Sequence, residues 1–122
     1  MSQMQGAREL RSSVDFLAQR ISSEHFRRFP DLAARYGEYG RKRCVEDAAF
    51  HLSFLAAAVD ANVPAIFTDY VAWAKTVLVS RGVPALDLLE NLRTMSDVLE
   101  AEFPGETSLR SWCPGQVLSE AD

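Results

Sequence analysis

Cys44, Asp47 and His51 stand at i, i+3 and i+7 in a stretch of helical composition, so a thiol, a carboxylate and an imidazole share one side of a helix. Such a donor set could hold a divalent metal only with a further ligand from elsewhere. The second histidine, His25, sits in Ser23-Glu24-His25-Phe26, and no paired His or Cys motif supplies the missing ligand. Neither a metal nor any other cofactor is therefore expected. His51 reads first as a core histidine bonded to a backbone carbonyl or to Asp47. Its second reading is the polar end of a ligand site walled by Phe50, Phe54, Tyr70 and Trp73. Rings that line a gap between helices suit a planar or fatty ligand such as haem, another tetrapyrrole or a fatty acid; the same rings also suit plain core packing.

Catalytic patterns are missing. The sequence has no Gly-rich phosphate loop, no nucleophile elbow, no His-Glu-x-x-His and no carboxylate pair in an apolar setting. Glu46-Asp47 reads as a solvated helix edge, and the chain is not expected to be an enzyme.

Charge is unevenly distributed. Up to Arg43 there are nine Lys/Arg against five Asp/Glu, and after it four against twelve. Arg27, Arg28, Arg35, Arg41, Lys42 and Arg43 form a basic patch with Glu24, Asp31 and Glu38 interspersed. The patch is either a solvated surface or a contact for an acidic protein or for the acidic half of a second copy; nucleic acid is not expected.

These residues are positioned by helices. No segment alternates with period two, and the apolar residues recur at helical spacing, so the fold is expected to be all-α. Leu10, Val14, Leu17 and Ile21 mark a helix over about 7–28, ended by Phe29-Pro30. Gly37 and Gly40 suggest a hinge, followed by helices over about 41–61, 64–81 and 84–103. Asn62-Val63-Pro64 and Arg81-Gly82-Val83-Pro84 separate the last three: Gly82 suits the left-handed residue that ends a helix, and Pro84 the first turn of the next. The expected fold is a single-domain bundle of four main helices over 1–105, for which a globin-like arrangement is one packing, with a C-terminal tail over 106–122.

The helix over 41–61 carries two apolar stripes: Cys44, Ala48, Leu52, Leu55 and Val59, and nearly opposite them Phe50, Phe54, Ala57 and Ala61. A helix apolar all round is expected to be enclosed, by its own bundle or by a partner.

At 122 residues and 48% hydrophobic, the chain has the length and composition of one globular domain. No run of about eighteen uncharged apolar residues spans a membrane, and Met1 to Gly6 lacks the features of a signal peptide. A cytoplasmic protein with Cys44 and Cys113 as reduced thiols is expected.

Three segments resemble a known arrangement: Arg35 to Leu52 (RYGEYGRKRCVEDAAFHL), Phe67 to Lys75 (FTDYVAWAK) and Arg81-Gly82-Val83-Pro84. Together they resemble the helical N-terminal region of bacterial regulatory proteins that carry a cobalamin-binding domain further along. The resemblance covers about Arg35 to Phe103. It implies a helical accessory module of a sensory or regulatory protein. The Asp-x-His-x-x-Gly motif of the cobalamin domain is absent, so cobalamin binding by this chain does not follow. The expected function is a non-enzymatic regulatory module acting through homodimerisation or protein partners, with a small-ligand sensor or carrier as the alternative.

Overall fold

The computed structural model describes residues 2–104, which form five α-helices and no strand: α1 (Ser2–Ser12), α2 (Val14–Arg28), α3 (Pro30–Ala61), α4 (Pro64–Ser80) and α5 (Ala85–Glu102). The tail expected over 106–122 lies outside the described residues.

The fifth helix arises because the stretch expected as one helix over 7–28 breaks at Ser13, whose backbone lies at φ −116° and ψ 13°. Two adjacent serines weaken the helix there. The Ser12 hydroxyl donates to the Glu9 carbonyl at 3.2 Å, and the Ser13 N–H is shared between the Glu9 and Leu10 carbonyls. The apolar stripe survives the break: Leu10, Leu17 and Ile21 are all fully buried.

The expected hinge is a kink at one residue. Gly37 takes φ 68° and ψ −164° inside α3, a conformation open only to glycine, while Gly40 remains helical. The C-terminal stops behave as their residues dictate. Asn62 closes α3 in the left-handed region at φ 57°, and Gly82 follows α4 at φ 86°. After α4 the Gly82 N–H bonds the Val79 carbonyl and the Val83 N–H the Leu78 carbonyl, the paired pattern of a Schellman cap. Pro84 is extended (φ −61°, ψ 144°) and caps α5, one residue before the helical position expected for it.

Helix α3 is central, packing on α1, α2 and α4, while α5 packs on α2 and α4. Its Ala48, Leu52, Leu55 and Val59 stripe meets Phe67 and Val71 of α4 and Leu92, Met95 and Leu99 of α5 in one core. Ion pairs from Arg20 to Glu102 and from Arg28 to Asp97 tie α2 antiparallel to α5.

Of the two enclosures expected for the 41–61 segment, its own bundle supplies only one, since the second stripe stays at the surface of the single chain. Phe50 is 58% exposed and Phe54 39% exposed, and Trp73 on α4, expected in the core, is 62% exposed. Of the described residues, only Tyr70 of α4 reaches that side of α3, against Phe54, so the bundle buries one stripe of α3 and leaves the other largely at the surface. Among the described residues no helix is long and apolar enough to cross a membrane.

Candidate functional site

The kink at Gly37 turns the first part of α3 so that, with α2 and the α4–α5 turn, it encloses a cavity of about 530 Å³. Its walls are His25 and Phe26 of α2, one side of the 35–47 stretch (Arg35, Tyr36, Tyr39, Gly40, Arg43, Cys44 and Asp47) and His51 of α3, Leu78 of α4, Arg81 to Val83 of the turn, and Asp87, Leu88 and Asn91 of α5. Cys44, Asp47 and His51 thus share one wall, as their spacing requires. Among the described residues no group of His, Cys, Asp and Glu has the arrangement to hold a metal ion.

The wall is fixed by few bonds. The Tyr36 hydroxyl donates to the Asp87 carboxylate, which also lies 3.7 Å from the Arg35 guanidinium. Burial and the Asp87 charge push the Tyr36 phenol up to about 12, so it keeps its proton. Gly40 lets this ring pass, since a Cβ there would stand 2.1 Å from the Tyr36 Cβ. Burial raises the Cys44 thiol above its ordinary value and keeps it protonated. Burial also raises the Asp47 carboxyl, against the pull of Arg43 and Arg81. Two buried polar side chains complete the wall. Asn91 donates only a long contact of 3.8 Å to the Cys44 sulfur, and the His25 Nδ1 has no hydrogen-bond partner among the described residues.

His51 is a buried core histidine, but its partner is neither a backbone carbonyl nor Asp47. Its Nδ1 lies 2.7 Å from the Tyr70 hydroxyl across the α3–α4 contact. Burial pushes the imidazole down to about 4 and the phenol above its ordinary value, so both groups are neutral at pH 7 and share one proton in this bond.

Beyond Tyr70 the character of the surface changes. The Tyr70 ring stacks on Phe54 at 4.1 Å with 11° between the planes, and Trp73 lies 6.2 Å away, tilted. Phe50, one turn before Phe54, extends the same exposed ridge. Of the five residues expected to form a ligand pocket, His51 alone lines the cavity, while Phe50, Phe54 and Trp73 form the ridge outside it and Tyr70 joins the two.

The basic patch divides in the same way. Arg27 and Arg28 both bond Glu24, whose carboxyl they hold down at about 2, and Arg28 also reaches Asp97 at 2.9 Å. Arg41 covers the Phe26 ring at 5.7 Å. Lys42 is exposed. Only Arg35 and Arg43 reach the cavity, where they meet Arg81 from the acidic half of the chain. Arg81, Asp87 and Asn91 were not legible as site residues, because only the packing of α4 on α3 and the fold-back of α5 bring them to the cavity.

No family model, no curated protein and no solved structure matches this chain.

Proposed function

We propose that the chain is a non-enzymatic regulatory module that works by pairing with a second copy of itself through the α3/α4 ridge. The observation that carries this reading is the exposure of Phe50, Phe54 and Trp73 together on one face. Aromatic side chains are the commonest anchors of protein interfaces, and three adjacent exposed rings gain more from cover than scattered apolar residues do.

Charge favours a second copy over an unrelated partner. Because α3 and α4 run antiparallel through the Asn62-Val63 connection, Arg43 and Arg81 fall at one end of the ridge and Asp69 at the other. Two ridges related by a two-fold axis, with their helices antiparallel, set the basic end of each copy against the acidic end of its twin. The resemblance of Arg35 to Phe103 to the helical region of bacterial regulatory proteins supports the same role.

Light scattering of the full chain from micromolar to millimolar concentration tests the proposal. A dimer is expected, and Trp73→Glu and Phe50→Glu should each weaken it by about thirtyfold or more, roughly 2 kcal/mol, with helix content unchanged. A chain that stays monomeric throughout, or a dimer that survives both substitutions, overturns it.

A further inference from the structure

We infer that the cavity between α2, the kinked start of α3 and the α4–α5 turn is a binding site for a small organic anion, of the class of an aromatic carboxylate. The inference does not rest on self-association: none of the exposed ridge rings lines the cavity, and although Arg43 and Arg81 serve both readings, the comparison of benzoate with benzamide below leaves them unaltered.

Size, charge and an under-used polar group each point to such a ligand. A volume of about 530 Å³ lies within the range that takes small molecules. At the rim stand Arg35, Arg43 and Arg81. Arg35 faces Asp87, which Tyr36 already engages. The ion-pair partner of Arg43 is Glu46 at 3.9 Å, the outer limit of a useful contact, and among the described residues no carboxylate lies within ion-pair distance of Arg81. Two guanidiniums that act on the half-buried Asp47 without an ion pair to it are thus available to an incoming anion, and a guanidinium fork matches a carboxylate in geometry as well as charge.

The interior asks for a ligand with more than charge. Leu78 and Leu88 supply apolar wall, and the Phe26 ring supplies an aromatic one. His25, only 4% exposed, has a ring nitrogen without a partner, and Asn91, 8% exposed, has a single weak contact. Buried polar groups are ordinarily paired, and the Asn91 amide keeps bonding capacity for a polar atom that the protein itself does not provide, whereas the His25 nitrogen is closed off from the cavity. A bare inorganic anion would satisfy the arginines and leave the apolar wall uncovered; a neutral ring would do the reverse.

Titration of the full-length protein with benzoate, benzamide and inorganic phosphate, followed by amide chemical shifts, separates these cases. Benzoate is expected to bind saturably and to shift Tyr36, Gly40, Gly82 and Asn91. It should bind about tenfold or more tightly than neutral benzamide, and R43Q/R81Q should weaken it by a similar factor. The comparison with benzamide needs no variant, so it stands even if the double substitution disturbs folding. Absence of saturable shifts at millimolar benzoate overturns the proposal, as do equal affinity for benzamide, shifts confined to Phe50, Phe54 and Trp73, or phosphate binding as tightly as benzoate.

Discussion

Asp47 and Phe54 flank His51 on α3, four residues before it and three after, yet they face opposite kinds of surroundings. On the Asp47 side, histidine, asparagine and a thiol are enclosed in a cavity wall; on the Phe54 side, phenylalanine and tryptophan stand in water. Folding stability alone selects the reverse, with apolar groups inside and polar groups out. The Leu52 and Leu55 stripe of the same helix follows that rule completely. Two departures from it, on two sides of one helix, are where this fold gives up stability for something else. The two sides are separable by experiment, beginning with the His51–Tyr70 bond that joins them.

Acid should break that bond with the largest effect. The neutral state of His51 is enforced by burial, which lowers its proton affinity to about 4, whereas an unfolded histidine titrates near 6.5. Between these values the unfolded chain binds a proton that the folded chain does not. The contribution is therefore fully present above about pH 6.5 and is lost as pH falls toward 4, reaching about 3 kcal/mol. His25 is lowered chiefly by the same cause and acts in the same direction. Urea unfolding at about pH 7.5 and 4.5 should show the loss, and His51→Gln should remove most of it. A variant with the full wild-type dependence would place the sensitivity elsewhere.

A smaller effect, confined to the cavity side, is expected of Gly40→Ala. The new methyl meets the Tyr36 Cβ at 2.1 Å, and a Cβ is fixed to its backbone, so the kink itself must shift. Overpacking of this kind costs about 1–3 kcal/mol. Amide shifts should move around Tyr36 and Asp87 and leave Trp73 fluorescence and association untouched. A change at Trp73 of comparable size would show that the two sides are one unit.

The sequence pattern already contained the helical class, the stops at Asn62 and Gly82, and the buried stripe from Ala48 to Val59. Each depends on local chemistry: a left-handed residue, a proline, a helical period. The Gly37 and Gly40 pair was legible only as weakness in a helix. Their separate roles, a kink at one and a close approach at the other, depend on where Tyr36 lands. The shared wall of Cys44, Asp47 and His51 was likewise legible, because a single helix sets it. Its partners were not. The Tyr70 hydroxyl and, at the end of the same helix, Arg81 are supplied by α4, and Asn91 comes from the fold-back of α5. Least legible was the exposure of Phe50 and Trp73, because a helical wheel tells which residues share a side and cannot tell whether a neighbour covers it.

Phe54→Ala is the mildest of these changes and the sharpest test of the comparison, because Phe54 belongs to the ridge while its stacking partner belongs to the bond behind it. The stack at 4.1 Å, with one ring 39% exposed and the other 7% exposed, is worth about 1 kcal/mol, well below the 3–5 kcal/mol of a fully buried phenylalanine. Its removal opens the Tyr70 ring to water. Water beside Tyr70 would lower the cost of charging His51, so its titration, followed by the imidazole proton resonances, should move upward from about 4. A loss of association with no movement of His51 would mean that the ridge and the cavity only share a helix. An upward movement would mean that whatever covers the ridge sets the charge of a group in the cavity wall, and by thermodynamic reciprocity an anion in the cavity would then alter how the ridge associates.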